Sequence, residues 1–353
     1  MGRTRHRQDE EKSKTSSCIE SIEDGRLQHW RINMFRWAVC GLGKISHRWV
    51  RVANSLSDMK VIAAVSSSKE RAEAYRKKYK MSYALTYEEL VKNPTCVDAV
   101  YVSTNMNMHQ KTVEMFLNAG IPVLCEKSFA LNSQQAKSMI DCAKKNNVLL
   151  MEAMWCRILP ANRMVDHIIK EKKYGSILST KGYFKAGWGH GPKSRVWKHD
   201  VGGGSVLDLA VYLVHYTYML LGKPSSIAAK GLVKNGVDRS TDFIFTYPQG
   251  VTSNLHSSLQ FPTLRESYSI YCEHGDIIVP SFYGTFKVIE KPHHGKRIVT
   301  SFPNVDGFSY EITHFVELFK SGKKESPIVP LSLTLEVMEA LQEINRQIGV
   351  EFS

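Results

Sequence analysis

Seven cysteines in 353 residues form no CxxC pair and no ladder of regular spacings. That argues against a disulfide framework or a zinc site. Cys40, Cys125 and Cys272 sit instead in apolar, strand-like runs, where cysteine acts as a small hydrophobe. A reducing, cytoplasmic setting is therefore expected. The N-terminus lacks the apolar stretch of a signal peptide. Position six is His6, not the Ser or Thr that myristoylation of Gly2 needs. The most apolar helical stretch, about 206–221, is short for a membrane span and carries Asp208 and His215; it reads as a buried core helix. GxSxG, HExxH and P-loop motifs are absent, so hydrolase and kinase readings lose. No internal repeat is present.

Charge is not scarce, but it is not concentrated. The formal net charge is +13, and the first thirty-three residues hold seven Lys/Arg against six Asp/Glu. The excess thus belongs to the rest of the chain, in no single long run. A solvated surface accounts for it, and a phosphate-bearing small ligand would benefit from the same field. No nucleic-acid motif or patch accompanies it. Residues 1–33 are polar and aperiodic and read as a disordered tail.

From Phe35 onward, strand-like runs (35–40, 60–65, 99–103, 122–125, 148–151) alternate with helical ones (44–56, 70–78, 109–119, 133–145). Such alternation indicates βαβ units and a parallel sheet. Beyond about residue 155 the pattern changes. Helices are expected at 160–172, 206–221, 310–320 and 333–348. Short strands at 227–233, 241–247, 252–259, 267–272, 276–280 and 285–289 are separated by Gly, Pro and Asn signals, as in an antiparallel sheet. The expected fold class is α/β: a Rossmann-like doubly wound parallel sheet over 34–155, then an α+β substrate-binding domain over 156–353 with an open, mainly antiparallel sheet.

The first strand runs into Gly41-Leu42-Gly43-Lys44-Ile45-Ser46. The first Gly permits a tight turn, the second lets backbone approach a pyrophosphate, and Ser46 is small enough for close packing. An ordinary glycine turn is the bland alternative. A NAD-selective site expects an acidic residue about 20 residues later. The second strand ends Ser66-Ser67-Ser68-Lys69, with no carboxylate before Glu70. Hydroxyls followed by Lys69 and Arg71 suit a 2′-phosphate, so NADP is expected and NAD possible. Alternatively the two cations belong to an exposed helix face. Thr104, Asn105 and His109 follow the next strand, where the nicotinamide half belongs; His109 reads more readily as a capping or packing residue than as a catalyst.

Val123, Leu124 and Cys125 lead into Glu126 and Lys127. Buried lysines are costly unless paired or used, and the carboxyl end of a parallel strand is where open α/β sheets bind ligands. A second constellation follows Gly202-Gly203-Gly204. Spacings of four and three put Asp208, Tyr212 and His215 on one face of an otherwise apolar helix. A satisfied polar cluster is the bland reading, and an acid/base group the functional one. A phenol is a poor base unless a nearby cation favours phenolate, and Lys127 is the candidate cation. His190 and His199 are conceivable metal ligands, but no further ligand is spaced for them, so no metal is expected.

These residues together resemble the glucose–fructose oxidoreductase/inositol dehydrogenase family. The resemblance runs from Phe35 to Phe352 and rests on VLCEKS (123–128), MEAMWCRILPA (151–161), GGGSVLDLAVY (202–212), ESPIVPL (325–331) and IGVEF (348–352). It implies Lys127 and Tyr212 as the catalytic pair, supported by Asp208, with Glu126 at the nicotinamide end. It implies that Trp155 and Arg157 line the substrate cleft, beside His215, and that the open sheet forms a homodimer. The implied activity moves hydride between NADP(H) and a secondary alcohol of a small molecule: a trans-dihydrodiol, an aldose such as D-xylose, or a dicarbonyl in reverse. Four positions depart from the pattern. Ser128 and Asn105 replace prolines, Ala210 replaces glycine, and Ser67 stands where the dihydrodiol dehydrogenase branch carries an arginine. A catalytically silent cofactor-binding sensor or scaffold is the competing reading. Neither nucleic acid nor membrane is an expected partner.

Overall fold

The computed structural model describes residues 34–187, 191 and 193–352. The expected tail at 1–33 and His190 lie outside them. Six strands form a parallel sheet: β1 (Phe35–Cys40), β2 (Met59–Val65), β3 (Tyr83–Leu85), β4 (Ala99–Val102), β5 (Val123–Glu126) and β6 (Leu150–Ala153). Their order is β3-β2-β1-β4-β5-β6, so the direction of winding reverses between β1 and β4. Every residue of β4, β5 and β6 is buried, because helices cover both faces. That is why these strands read as apolar runs without alternation. Helix α1 (Lys44–Ala53) turns Ser46, Trp49, Val50 and Ala53 inward, a single helical face. Trp49 stacks on Tyr101 of β4 with ring centroids 4.1 Å apart. The flanking helices are α2 (Lys69–Tyr79), α3 (Tyr87–Lys92), α4 (His109–Asn118) and α5 (Ser133–Asn146). Ser68 and Asn132 cap α2 and α5 through their side-chain oxygens.

The second sheet has eight strands: β7 (Ile177–Lys185), β8 (Ser226–Lys234), β9 (Val237–Thr246), β10 (Thr252–Ser258), β11 (Arg265–Cys272), β12 (Gly275–Pro280), β13 (Lys287–Pro292) and β14 (Ile298–Ser301). Their order is β14-β13-β12-β11-β7-β10-β9-β8. All pairs are antiparallel except β7 with β10. β7 is absent from the expected strands although it is central. Its buried face carries Thr180 and Gly182, where a Cβ on Gly182 would stand 2.7 Å from Tyr268 and 2.9 Å from Leu213. Close packing there requires a missing side chain, which erases the hydrophobic signal. β14, β3 and α3 are also additional to the expected elements.

Helix α6 (Pro160–Lys170) connects the two sheets, and a run comprising a π turn (Val206–Ala210) and α7 (Val211–Leu221) lies between β7 and β8. The apolar run is a core helix, with Val206–Tyr218 wholly buried. α8 (Gly307–Lys320) and α9 (Leu331–Gln347) close the chain. The six described cysteines are unbridged.

Candidate active site

The turn after β1 is dictated by sterics. Gly41 has φ +92°, and a Cβ there would lie 2.3 Å from Ser103 C and Thr104 N. Only glycine lets β1 turn this close to the end of β4, where Ser103 N donates to Cys40 O and its hydroxyl to Gly41 O. Gly43 differs. It caps α1 with an ordinary φ of −93°, and a Cβ there would meet nothing within 4 Å. The protein itself has no need of glycine at 43; a close-approaching diphosphate does. The first turn of α1 holds no acid, leaving its positive end unneutralised. The fit to a dinucleotide is therefore good. Ser46 accepts from Tyr75 O–H at 2.9 Å and donates to Gly43 O at 2.8 Å.

At the end of β2, Ser66 is buried and accepts from Ser68 N–H, while Ser67 is exposed. Lys69 pairs with Glu89 of α3 at 2.5 Å, both side chains partly exposed; a surface pair of this kind is weak and does not bar Lys69 from the expected 2′-phosphate role. Arg71 is exposed near the same turn.

A cleft of about 960 Å³ opens at the winding reversal. Gly43, Lys44 and Ile45 border one end, and Thr104, Asn105, His109 and Glu126 the floor. His109 is buried with Nδ1 3.2 Å from Phe129 O and Nε2 3.1 Å from Thr104 O. Burial lowers its pKa despite those carbonyls. The neutral ring can donate to only one of the two carbonyls it faces, and its burial packs it against the end of β4. Glu126 accepts from Tyr101 O–H at 2.5 Å and from Lys127 N–H at 3.1 Å. Burial nonetheless raises its pKa.

Lys127 directly follows β5 at the cleft. Its Nζ donates to Asp208 O at 2.7 Å and to Asp208 Oδ1 at 3.3 Å. Arg195 Nη2 donates to the same Oδ1 at 2.8 Å. Burial drives the Asp208 carboxyl upward, and the two cations overrule it, holding it well below the usual carboxylate range. The expected Lys127–Tyr212 pairing takes a different form. Nζ lies over the face of the Tyr212 ring, 4.8 Å from its centroid, and is committed to Asp208. The phenol is pushed well above its ordinary value by burial and then by the Glu126 charge. Tyr212 thus rests as a neutral phenol, a proton donor, and the expected phenolate-favouring cation is not what this geometry provides.

The far wall is aromatic. Trp155, Phe184, Tyr283 and Phe308 line it with Tyr212. Trp155 packs on Phe308 at 4.8 Å, and Phe184 on Tyr283 at 4.9 Å. Arg48, one turn beyond Lys44 on α1, reaches across. Its guanidinium lies 4.9 Å from the Trp155 ring centroid and binds both Asp306 oxygens at 2.7 and 3.1 Å.

Two expected pocket residues are elsewhere. Arg157 turns inward, donating to Ile328 O at 3.0 Å and His215 O at 2.8 Å. His215 is fully buried, with Nε2 3.0 Å from Glu152 Oε2. Neither lines the cleft. The 3-10 turn at Trp155–Arg157 sends its first side chain to the cleft and its last to the core. Tyr212 and His215 both lie in the regular helix α7, three residues apart, yet only Tyr212 borders the cleft while His215 turns to Glu152 of β6. His199 also sits apart, 2.8 Å from Glu351 O. Arg195 and Arg48 were not among the expected site residues. Arg195 lies in an aperiodic loop that offers no pattern; Arg48, four residues after Lys44 on one helix face, was findable.

The family description "Oxidoreductase family, NAD-binding Rossmann fold" matches residues 35–154, and "GFO/IDH/MocA C-terminal domain" matches 162–278. The trans-1,2-dihydrobenzene-1,2-diol dehydrogenase of Xenopus tropicalis is 31% identical over 332 residues, covering 90% of this chain and 99% of that protein. The chain belongs to the GFO/IDH/MocA oxidoreductase family. Solved folds agree with that membership. An aldose–aldose oxidoreductase from Caulobacter crescentus superposes with TM-score 0.80 at 22% identity, over 89% of this chain and 97% of that one. A 3-ketoreductase from Actinomadura kijaniata, in complex with NADP and TDP-benzene, gives 0.79 at 22% identity, over 90% and 98%. Of the departures within this GFO/IDH/MocA chain, Asn105 borders the cleft. Ser128 follows a cis peptide bond and donates to Leu207 O at 2.5 Å. Ala210 is buried in the π turn.

Proposed function

We propose that the protein is an NADP(H)-preferring oxidoreductase acting between a secondary alcohol and its ketone on a compact cyclic substrate, a trans-dihydrodiol or an aldose such as D-xylose. The observation that carries the proposal is the Lys127–Asp208–Arg195 network beside a neutral Tyr212, facing an aromatic wall. Gly41, Gly43, Lys44 and Ile45 would hold the diphosphate. Ser66, Ser67 and Arg71 would meet the ribose 2′ end, and Thr104, Asn105, His109 and Glu126 the nicotinamide. The bound nicotinamide supplies the hydride donor or acceptor. Tyr212 gives its proton to the oxygen that becomes negative during carbonyl reduction and is left as phenolate; alcohol oxidation is the reverse of that step and starts from the phenolate, the resting phenol having first released its proton to solvent. Lys127, fixed by Asp208, provides positive charge where that oxygen develops its own charge. The rings exclude water and offer flat apolar faces to a ring substrate. Positioning of this kind supplies much of the rate.

The names of the dihydrodiol dehydrogenase relatives and of the aldose–aldose oxidoreductase and 3-ketoreductase neighbours support this substrate class. The NADP preference is supported by the lack of a carboxylate at the end of β2, by Arg71, and by the NADP in the 3-ketoreductase complex. We also propose a homodimer through the open sheet. Ile244 and Tyr271 are exposed on the face opposite buried Phe243, Phe245 and Ile270.

The test is hydride transfer with NADP⁺ and NAD⁺ across diols and aldoses, and with NADPH across vicinal dicarbonyls, followed by nicotinamide absorbance. Tyr212→Phe is expected to lower kcat about 100- to 10,000-fold, the usual range for a general acid/base. Lys127→Met should act in the same direction. Tight NADPH binding without turnover across the panel would favour a sensor or scaffold instead.

A further inference from the structure

The segment that carries Tyr212 is fastened to the parallel sheet on both sides of that residue. Before it, Ser128 Oγ donates to Leu207 O at 2.5 Å and Lys127 Nζ to Asp208 O at 2.7 Å. After it, Arg157 Nη1 donates to His215 O at 2.8 Å, and the His215 ring meets Glu152 at 3.0 Å. The first pair comes from the end of β5 and the second from β6 and the turn that follows it. Thr334 of α9 donates to the same Glu152 oxygen at 2.9 Å. Glu152 therefore joins three elements: β6, α7 and α9.

The Glu152 and His215 side chains are 1% and 0% exposed. Buried polar pairs of this kind add little net stability, and well-packed apolar residues often replace them without loss. In some proteins such a pair instead fixes a single register between the elements it joins. Here those elements are the sheet that presents Lys127 and the helix that presents Tyr212, three residues from His215. We propose that Glu152 and His215 are positioning residues that set Tyr212 against Lys127 and the cleft. This rests on the proton-transfer role given above to Tyr212.

Apolar replacement of the pair separates positioning from stability. The double variant Glu152→Met/His215→Leu is expected to fold, to unfold near the wild-type temperature and to keep its NADPH affinity. Its kcat, measured with NADP⁺ and either trans-1,2-dihydrobenzene-1,2-diol or D-xylose, should fall about 100-fold, the effect of roughly 1 Å of misplacement. Glu152→Gln, which keeps an acceptor, should recover most of that loss. In a Tyr212→Phe background the same double change should cost almost nothing further, because the residue it positions has lost its proton. A merely structural pair would lower kcat equally in both backgrounds. Thr334→Val, which removes only one hydroxyl donor, repeats the comparison with a milder change.

The proposal is overturned by wild-type kcat in the double variant, by an undiminished loss in the Tyr212→Phe background, or by failure of the double variant to fold. If Tyr212→Phe turns over normally, or neither substrate reacts with the wild type, the catalytic reading falls and this inference with it. Wild-type turnover in the double variant alongside an inactive Tyr212→Phe sinks the positioning role alone.

Discussion

Substituting alanine at Gly41 and at Gly43 should have opposite consequences, although the glycines stand two residues apart in one turn. At Gly41 the backbone is left-handed, φ +92°, which costs a side-chain-bearing residue about 1–2 kcal/mol. The new methyl would also meet main-chain atoms of Ser103 and Thr104 at 2.3 Å, and these cannot rotate away. Overpacking of that kind adds about 1–3 kcal/mol. The sum, about 2–5 kcal/mol, is a large part of a typical domain's stability. At about 2–4 °C per kcal/mol it lowers the unfolding midpoint by about 4–20 °C. At Gly43 the backbone is ordinary and the methyl enters open space. A gain of about 0.4–1 kcal/mol from a stiffer unfolded chain roughly cancels the poorer helix cap. The methyl does occupy the approach to the α1 N-terminus. Losing one charge-assisted hydrogen bond there costs about 1.5–3 kcal/mol, roughly 10- to 100-fold in affinity. Thermal unfolding without cofactor and a fluorescence titration with NADPH measure the two effects separately. Wild-type NADPH affinity in Gly43→Ala, or a wild-type midpoint in Gly41→Ala, would refute the reasoning.

Three further outcomes follow from the charges. Asp208→Asn leaves Lys127 and Arg195 facing each other without their carboxylate, and a loss of about 3–5 kcal/mol is expected. Because the folded-state pKa of Asp208 is depressed, its contribution is present above the ordinary carboxyl value of 3.8 and is lost as pH falls further; the gap between wild type and variant in chemical denaturation should therefore narrow only below about pH 4. Glu311 is the opposite case. It is fully buried, and burial followed by the Glu126 and Glu152 charges raises its pKa well above 4.5 against a smaller opposing pull from the Trp155 backbone. A raised carboxyl contributes stability below its unfolded value and loses it as pH climbs through the folded one. Glu311→Gln should then unfold later than wild type at about pH 8 and show no such advantage near pH 4.5; a variant less stable at both values would contradict this. Arg71→Ser should weaken NADP⁺ binding and leave NAD⁺ binding unchanged, checked by parallel titrations.

The parallel sheet was legible because strands covered on both faces have no option but to be apolar, and because the Gly41 turn and the Glu126-Lys127 strand end carry their chemistry in consecutive residues. Asp208 and Tyr212 were visible as polar interruptions of an apolar helix. His215 was misassigned by the same logic, since spacing puts residues on one helical side without saying which of them reach the cleft and which the core. Arg157 sits two residues from Trp155 yet faces the core, and no sequence pattern separates the two. Arg195 reaches Asp208 from a loop without period, and β7 is concealed by the small residues its packing demands. What escaped the sequence was decided by contacts between distant segments.

β7 has a consequence for how the molecule comes into being. Its partners are β11 on one side and β10 on the other, so it waits for segments made some seventy or more residues later. The parallel sheet, by contrast, is complete in sequence by Ala153. Emerging chains therefore pass through an interval in which the first sheet has all its strands and the platform beneath Leu213 does not exist. The last helix then returns to the first half: Gln342 accepts from Ser133, and Phe352 O accepts from Asn132. Those contacts join segments 220 and 209 residues apart, so they close only after the long loops between them have been ordered.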